Sequence, residues 1–247
     1  MQNTVARTAL QDEPEFTPEL VESPLGDAHT IKDALELYRL SDWGFVLFRC
    51  TYRSQEKWER FVALVQGHAR DCFEEAGMMD VYARMRWTVF EDAAALDGAD
   101  IVETSRRFVE WVERGPGGRE LAGSVFGPSM ARAGGPSMAT AGTPRHEFFL
   151  HVDEESLESV VDDAKARERG GYFSTMVRAG NVVLWVPERD REKGVYCLEG
   201  RELEEDEMCD LAKRVRIDDL VSLYAGLQVS PDLWYWLRWS DDNIFGP

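Results

Sequence analysis

Residues 43–77, WGFVLFRCTYRSQEKWERFVALVQGHARDCFEEAG, decide the fold class of this chain. The first ten are mostly aromatic and β-branched, without a breaker after the second position, which is typical of a β-strand. Ser54 is a favoured helix N-cap, and the apolar residues after it recur every three or four positions, as on one buried helix face. The stretch therefore predicts a strand over 43–52 and a long helix over 55–76.

Similar units follow this first strand and helix. RMRWTVF at 84–90 alternates polar and apolar residues and predicts a second strand, with a helix over about 100–114 behind it. HEFFLHV at 146–152 predicts a third strand, after which Asp153 caps another helix. Downstream, the patterns predict strands over 172–177, 182–186 and 195–198 and a helix over 218–227, and upstream of the first strand they predict a short helix over 31–40.

The order of these elements predicts an α+β fold. Strand–helix–strand, an insertion over 91–145, and then strand–helix–strand again is the βαββαβ pattern of a ferredoxin-like sandwich. A different mixed sheet is the alternative. The segment DLWYWLRW after Pro231 predicts an aromatic C-terminal helical tail that docks on the body.

The domain organisation follows from composition. Residues 1–27 are polar and acidic with three prolines and predict a disordered arm, which leaves 28–247 as a single α+β domain. Residues 115–145 are rich in Gly and Pro and predict a flexible loop. Within it, GPSMARAG and GPSMATAG stand in tandem at 127–142, as a duplicated flexible loop or as a mobile lid.

Charge and cysteine content exclude several functions. A net charge of −18 repels nucleic acid and anionic membranes, and no basic stripe counters it. No apolar run is long enough to span a bilayer, and the first residues lack the apolar core of a secretory signal, so we expect a cytoplasmic protein. The four cysteines form no CxxC or zinc-ligand spacing, and no motif indicates a metal or a cofactor.

Alternation within the strands predicts a candidate site. Successive side chains of a strand point to opposite faces, so each of the three strands offers one wholly apolar face and one mixed face. The mixed face collects Phe45, Arg49, Arg86, Phe90, Glu147, Phe149 and His151. Two interpretations stay open: the arginines pair with Glu147 under the aromatic tail, or the face lines a ligand pocket.

His151 is the candidate catalytic residue on this face. Asp153 lies two residues on and shares its face, so the pair could form an oriented general base. Asp153 is also a favoured helix N-cap residue. If it caps the helix and does not orient His151, then His151 has a structural role. His146 and His151 are five apart on a strand and point to opposite faces, so they cannot bind one metal ion together.

Three phrases carry a family resemblance. WGFVLFRCTY with SQEKWERF, RMRWTVFED and HEFFLHVDEESLESVV resemble, in combination, a family of filamentous-fungal cytosolic proteins without an established activity. The resemblance covers roughly residues 40–240, with the loop at 115–145 outside it. It implies an intracellular fungal origin and no catalytic residue.

These observations favour a non-catalytic module that binds a protein or a small-molecule ligand through the mixed face and the flexible insertion. The alternative is a small-molecule enzyme that uses acid–base chemistry, with His151 as the base and Arg49 or Arg86 holding an anionic group. Proteins of this architecture often pair sheet faces, so a homodimer is a further hypothesis.

Overall fold

The structure is a computed structural model that describes residues 24–114, 116–122, 143–168, 171–178, 188–190, 195–198, 201–202, 212–229, 233–236 and 244–245. The helices are α1 (Pro24–Leu37), α2 (Gln55–Glu75), α3 (Met79–Tyr82), α4 (Ala93–Leu96), α5 (Ile101–Arg114), α6 (Pro116–Ala122), α7 (Pro144–Glu147), α8 (Glu154–Val161), α9 (Asp163–Glu168), α10 (Leu220–Val229) and α11 (Leu233–Trp236). The strands are β1 (Val46–Arg49), β2 (Thr88–Phe90), β3 (Phe148–Val152), β4 (Phe173–Arg178), β5 (Glu188–Asp190), β6 (Val195–Leu198), β7 (Arg201–Glu202), β8 (Ala212–Arg216) and β9 (Ile244–Phe245).

One mixed sheet organises the fold. Its strand order is β2-β1-β3-β4-β8-β9. Strand β1 is parallel to both β2 and β3, whereas β4 is antiparallel to β3 and β8, and β9 is parallel to β8. Strands β5, β6 and β7 form a separate antiparallel sheet. The main sheet therefore has three adjacent parallel strands, followed on the β3 side by β4, which runs in the opposite direction, and by β8 and β9, which run in the direction of β3.

Helices cover both faces of the main sheet. One face packs its apolar side chains, among them Phe45, Leu47 and Leu150, against α1, α2, α8 and α10. The other face packs Val46, Phe48 and Phe149 against α5. Every residue of β1 and β3 is therefore buried, on whichever side it points.

The mixed α and β content confirms the predicted α+β class, but the ferredoxin-like arrangement is not the one found. A ferredoxin-like sandwich has an antiparallel sheet with helices on one face only, whereas here β1 lies between two parallel neighbours and both faces are covered. Strands and helices alternate along the chain in the same way in both arrangements, so the order of elements alone does not distinguish them.

The predicted elements agree with the structure where the signals are local. Helix α2 matches its predicted range, and the side chain of Ser54 caps it by accepting a hydrogen bond from the Lys57 N–H at 3.2 Å. Helix α5 and strand β6 also lie where expected. Helix α1 begins at Pro24, so the last residues of the predicted arm are helical. Strand β8 was missed, because its lysine and arginines resemble an exposed basic cluster.

The insertion and the tail are partly described. Within 115–145 the structure has α6 and α7 rather than a continuous loop. The octapeptide repeat and the predicted strand over 182–186 lie outside the described residues. In the aromatic tail, Trp234 is fully buried and its ring lies 5.0 Å from that of Phe148, so the tail docks on the sheet as expected. Among the described helices, none combines the length and apolarity needed to cross a bilayer.

Candidate functional site

The carboxyl ends of the parallel strands β1, β2 and β3 meet at one edge of the sheet, here called the carboxyl edge. The chain leaves β1 towards α2 on one face and leaves β2 towards α4 and α5 on the other. In open sheets of this kind, ligands bind outside the carboxyl ends, where neighbouring connections diverge to opposite faces. The carboxyl edge is therefore the expected position of a ligand-binding site in this sheet.

The seven predicted site residues do not share a face. In the register of the sheet, Val46 is opposite Phe149 and Phe48 is opposite His151, so those pairs point towards α5. Phe45 and Arg49 alternate with them and point to the other side. The prediction of one mixed face is therefore wrong in its geometry. Alternation fixes the faces within a strand, whereas the relation between strands depends on their register.

The three aromatic members belong to the core. Phe45 lies edge-on to Tyr224, with ring centroids 5.1 Å apart. Phe90 stacks on Phe48 at 4.6 Å and an interplanar angle of 3°. Phe149 contacts the rings of Phe48 and Phe108, each at 5.1 Å. Their arrangement is that of packed side chains between the sheet and its helices.

Glu147 and Arg86 are held by other partners than those expected. Glu147 ends α7, is buried, and accepts a 2.7 Å hydrogen bond from Nε of Arg178. Arg86 is exposed before β2, with Nη1 at 3.6 Å from the carboxylate of Asp42 and 3.8 Å from that of Glu120. The proposed pairing of Glu147 with Arg49 and Arg86 does not form.

His151 is 5% exposed beneath the N-terminal end of α5. Its Nδ1 lies 3.2 Å from Oγ1 of Thr104 and 3.5 Å from Sγ of Cys50. The Thr104 hydroxyl also lies 3.0 Å from the carbonyl oxygen of Asp100, to which it donates its single hydrogen. Nδ1 therefore carries the imidazole proton and donates to Thr104, which leaves the lone pair on Nε2.

Burial sets the charge of both His151 and Cys50. Desolvation lowers the pKa of His151 and outweighs the carboxylates of Asp153 and Asp100, which raise it. Desolvation also raises the pKa of the Cys50 thiol, with Asp153 and Asp100 acting in the same direction. The Cys50 thiol and the His151 imidazole are therefore both neutral at neutral pH. They lack the thiolate and imidazolium that a catalytic cysteine site needs.

Asp153 caps a helix and is not hydrogen-bonded to His151. Its Oδ1 accepts a 2.8 Å hydrogen bond from the N–H of Ser156 at the start of α8. The oriented His151–Asp153 pair of a general base thus does not form, and the N-cap interpretation of Asp153 is confirmed. Thr51, in the loop after β1, donates a short hydrogen bond to Glu154 and ties that loop to α8.

Arg49 lies at the same edge, on the α2 side of the sheet. It is 4% exposed. Its Nε donates to the carbonyl oxygen of Thr51 at 2.9 Å, and its Nη1 donates to Oε1 of Gln55 at 2.8 Å. The guanidinium carbon lies 4.4 Å from the ring centroid of Tyr52 and 5.1 Å from that of Trp58. Two rings and two hydrogen bonds thus fix the orientation of a buried positive charge.

A carboxylate from the neighbouring strand approaches this arginine. Glu91, directly after β2, accepts a 2.6 Å hydrogen bond from the indole N–H of Trp58. Its other oxygen lies 4.0 Å from Nη1 of Arg49, at the distance of an ion pair rather than a hydrogen bond. The Glu91 side chain is 46% exposed, so solvent reaches this arrangement.

Two groups that the structure brings together are not evident from the sequence. The contact of Cys50 with His151 joins residues about a hundred positions apart, and only the parallel β1–β3 register could have shown it. Arg145 is 1% exposed and donates to the carbonyl oxygens of Gly44 and Arg86, just before β1 and β2, and to the carboxylate of Glu120. An arginine just before an apolar strand gave no signal of this role.

Among the described residues, no group of three or more His, Cys, Asp or Glu side chains is placed to hold a metal ion. An apolar cavity of about 10 Å³ borders Trp43, Phe45 and Trp87, which is room for about one water molecule. Neither observation adds a ligand-binding group to the candidate site at the carboxyl edge.

No protein-family model, no curated protein and no solved structure matches this chain.

Proposed function

We propose that this protein is a non-catalytic binding module that holds its ligand at the carboxyl edge, beside Arg49. Helices cover both faces of the sheet, so the sheet face first considered as the binding surface is not open. The carboxyl edge is where ligands bind in related sheet arrangements, and Arg49 is a fixed positive group there. A small molecule fits this edge better than a protein surface does, because the arginine is nearly buried.

The observation that carries the non-catalytic assignment is the environment of His151. A general base needs an orienting group and access to the proton that it removes. The hydrogen-bonding partners of Nδ1 are a threonine hydroxyl and a neutral thiol, and the carboxylate expected to orient it caps α8. His151 thus has the contacts of a packed structural histidine.

One observation favours the second candidate, a small-molecule enzyme with His151 as the base. Among the described residues, Nε2 of His151 has no hydrogen-bond partner. Its lowered pKa leaves it able to accept a proton at neutral pH. In this reading Arg49 would hold an anionic group of the substrate across the edge of β1.

Location and partners are proposed on charge and on the resemblance to fungal cytosolic proteins. We propose a cytoplasmic protein whose partner is a small molecule or a protein and not nucleic acid, because the net charge of −18 opposes polyanions. Pairing of open sheet faces into a homodimer loses its basis, since α5 covers one face and α1, α2, α8 and α10 the other.

Thermal-shift screening of the full chain against metabolites tests the proposal. A ligand that binds only the native state raises Tm by mass action. We expect at least one metabolite to raise Tm of the wild type and of His151→Asn, but not of Arg49→Lys. Asparagine places an amide N–H near the position of Nδ1, so the packing of His151 is largely kept. Turnover of the bound metabolite that His151→Asn abolishes would contradict the proposal and favour the enzyme.

A further inference from the structure

We propose that the ligand is a small organic monocarboxylate, which binds Arg49 by displacing the side chain of Glu91. This inference rests on the proposed binding function and names the ligand class for the same site. Three features support it: the unbound nitrogen of the arginine, the carboxylate already beside it, and the groups around both.

Arg49 has an unused donor. Nε and Nη1 are bound to Thr51 and Gln55, and among the described residues Nη2 has no hydrogen-bond partner. The side chain of Arg49 is only 4% exposed, and the donors of so buried a side chain normally have hydrogen-bond partners. Nη2 is not among the fully buried atoms that lack a partner, so solvent reaches it and a ligand can replace that water.

The two aromatic rings beside Arg49 fix the orientation of this donor, which favours binding of a planar anion. Contacts with Tyr52 and Trp58 hold the guanidinium plane, so little side-chain entropy is lost when a ligand binds. The planar guanidinium matches the geometry of a carboxylate better than a lysine ammonium would. Trp58 is itself buried, so the half-buried ring of Tyr52 is the apolar surface that remains for the body of an organic acid.

Glu91 already places a carboxylate next to the arginine. One of its oxygens binds the indole N–H of Trp58 at 2.6 Å, while the other remains 4.0 Å from Arg49. Glu91 therefore gains the indole hydrogen bond but no hydrogen bond to the arginine. A free carboxylate is not constrained by the backbone of β2 and can contact both donors. Because Glu91 is half exposed, it can rotate into water when the ligand takes its place.

The start of α2 adds a weaker attraction for a single negative charge. Gln55 is the first residue of this 21-residue helix, whose N-terminal end is positive. Exposed Arg53, in the loop before it, adds a further positive charge. Acidic Glu56, Glu91 and the overall charge of −18 oppose a second negative charge on the ligand. This balance favours a monocarboxylate over a phosphate.

The test uses benzoate as the probe and benzamide as its uncharged counterpart. The chemical shift of the Trp58 indole N–H, assigned with Trp58→Phe, reports binding at the site in the full chain. We expect benzoate to shift this resonance with a Kd on the order of 1 mM, and benzamide to leave it unchanged. Inorganic phosphate should bind at least about tenfold more weakly than benzoate.

Two substitutions give opposite effects. Glu91→Gln keeps an acceptor for the indole but removes the competing charge, so benzoate affinity should rise about three- to tenfold. Arg49→Lys removes the planar guanidinium, so affinity should fall at least about tenfold. Arg70→Gln, an exposed arginine further along α2, is the control and should change neither. The Tm of each variant separates a loss of the ligand from a loss of the fold.

The outcomes separate the two proposals. If benzoate binds neither the wild type nor Glu91→Gln, or if Glu91→Gln weakens its binding, the carboxylate inference is wrong. A metabolite of another class that raises Tm, and fails to do so in Arg49→Lys, would then leave the binding function standing. Turnover that depends on His151 would instead remove the binding function itself.

Discussion

Burial decides the charge of individual polar side chains near the carboxyl edge. Cys50 and His151 are both neutral there because desolvation opposes their ionised forms. Aromatic rings and hydrogen bonds replace the water around the guanidinium of Arg49. Asp219, which precedes α10, lies beside Asp218 and Arg216, and burial and its acidic neighbour together raise its pKa to about 6.

The stability of the protein should therefore depend on the charge of Asp219. Unfolded aspartate has a pKa near 3.8, so between pH 3.8 and 6 the folded state binds more protons and stability falls as pH rises. Asp219→Asn should remove this loss. We expect the variant to equal the wild type near pH 3.8 and to be more stable above pH 6, by about 1–2 kcal/mol.

Urea unfolding across this pH range measures the effect. Asp33→Asn, an exposed aspartate of α1, is the matched control and should leave the pH profile unchanged. An Asp219→Asn profile that parallels the wild type at every pH would show that Asp219 ionises normally in the folded protein.

The thiol of Cys50 should be unreactive in the native state. It is buried against His151, and its raised pKa leaves almost no thiolate. Because the thiolate is the reactive form, iodoacetamide should label Cys50 roughly a hundredfold more slowly in the folded than in the urea-unfolded protein. Peptide mass spectrometry measures both rates. Equal rates would mean that the β1–β3 edge opens readily.

Among the elements, the helix caps were predictable and the strand directions were not. Ser54 and Asp153 cap α2 and α8 through contacts only three residues long, which a local sequence pattern encodes. Strand direction depends on residues far apart in the chain. One signal was present: FVLF and FFL are continuous apolar runs, and such runs are typical of parallel strands buried on both faces. If these runs are taken as alternating strands, they predict one mixed face shared by the three strands, which the structure does not have.

Two substitutions separate a capping role of Asp153 from a role of its negative charge beside His151. As a helix cap, Asp153→Asn should be nearly neutral, because asparagine accepts the same hydrogen bond from Ser156. Asp153→Ala should lower the free energy of unfolding by about 1 kcal/mol. Urea denaturation at neutral pH gives both values. A large loss in Asp153→Asn would instead point to a role for its negative charge beside His151.

For the molecule as a whole, the α+β class could be predicted, whereas the way the segments assemble could not. Arg145 shows the reason. It joins the Arg86 carbonyl oxygen, the Thr88 hydroxyl and the Glu120 carboxylate, which come from distant parts of the chain. Burial acts to raise the pKa of Glu120, but His146 and Arg145 outweigh it and hold the pKa at about 2.

Removing this arginine should destabilise the entire fold. Arg145→Met would leave the carboxylate of Glu120 without its buried partner, which costs about 3–5 kcal/mol in comparable cases. The double variant Arg145→Met with Glu120→Gln should recover part of the loss, because no charge is then left unpaired. Urea unfolding of the four proteins gives the coupling. A loss below about 1 kcal/mol in Arg145→Met would show that solvent replaces the arginine.

The position of β1 between β2 and β3 also has a consequence during synthesis. One neighbour of β1 follows about forty residues later, but the other follows about a hundred residues later, since Phe48 is opposite His151. At ordinary translation rates, those hundred residues take roughly 5 to 20 s to be made. Throughout that interval the nascent chain carries an apolar strand with one unpaired edge, which is a template for contact with other chains. The order of strands in the finished sheet thus leaves ribosome-bound intermediates of this protein with a strand edge that only later synthesis can cover.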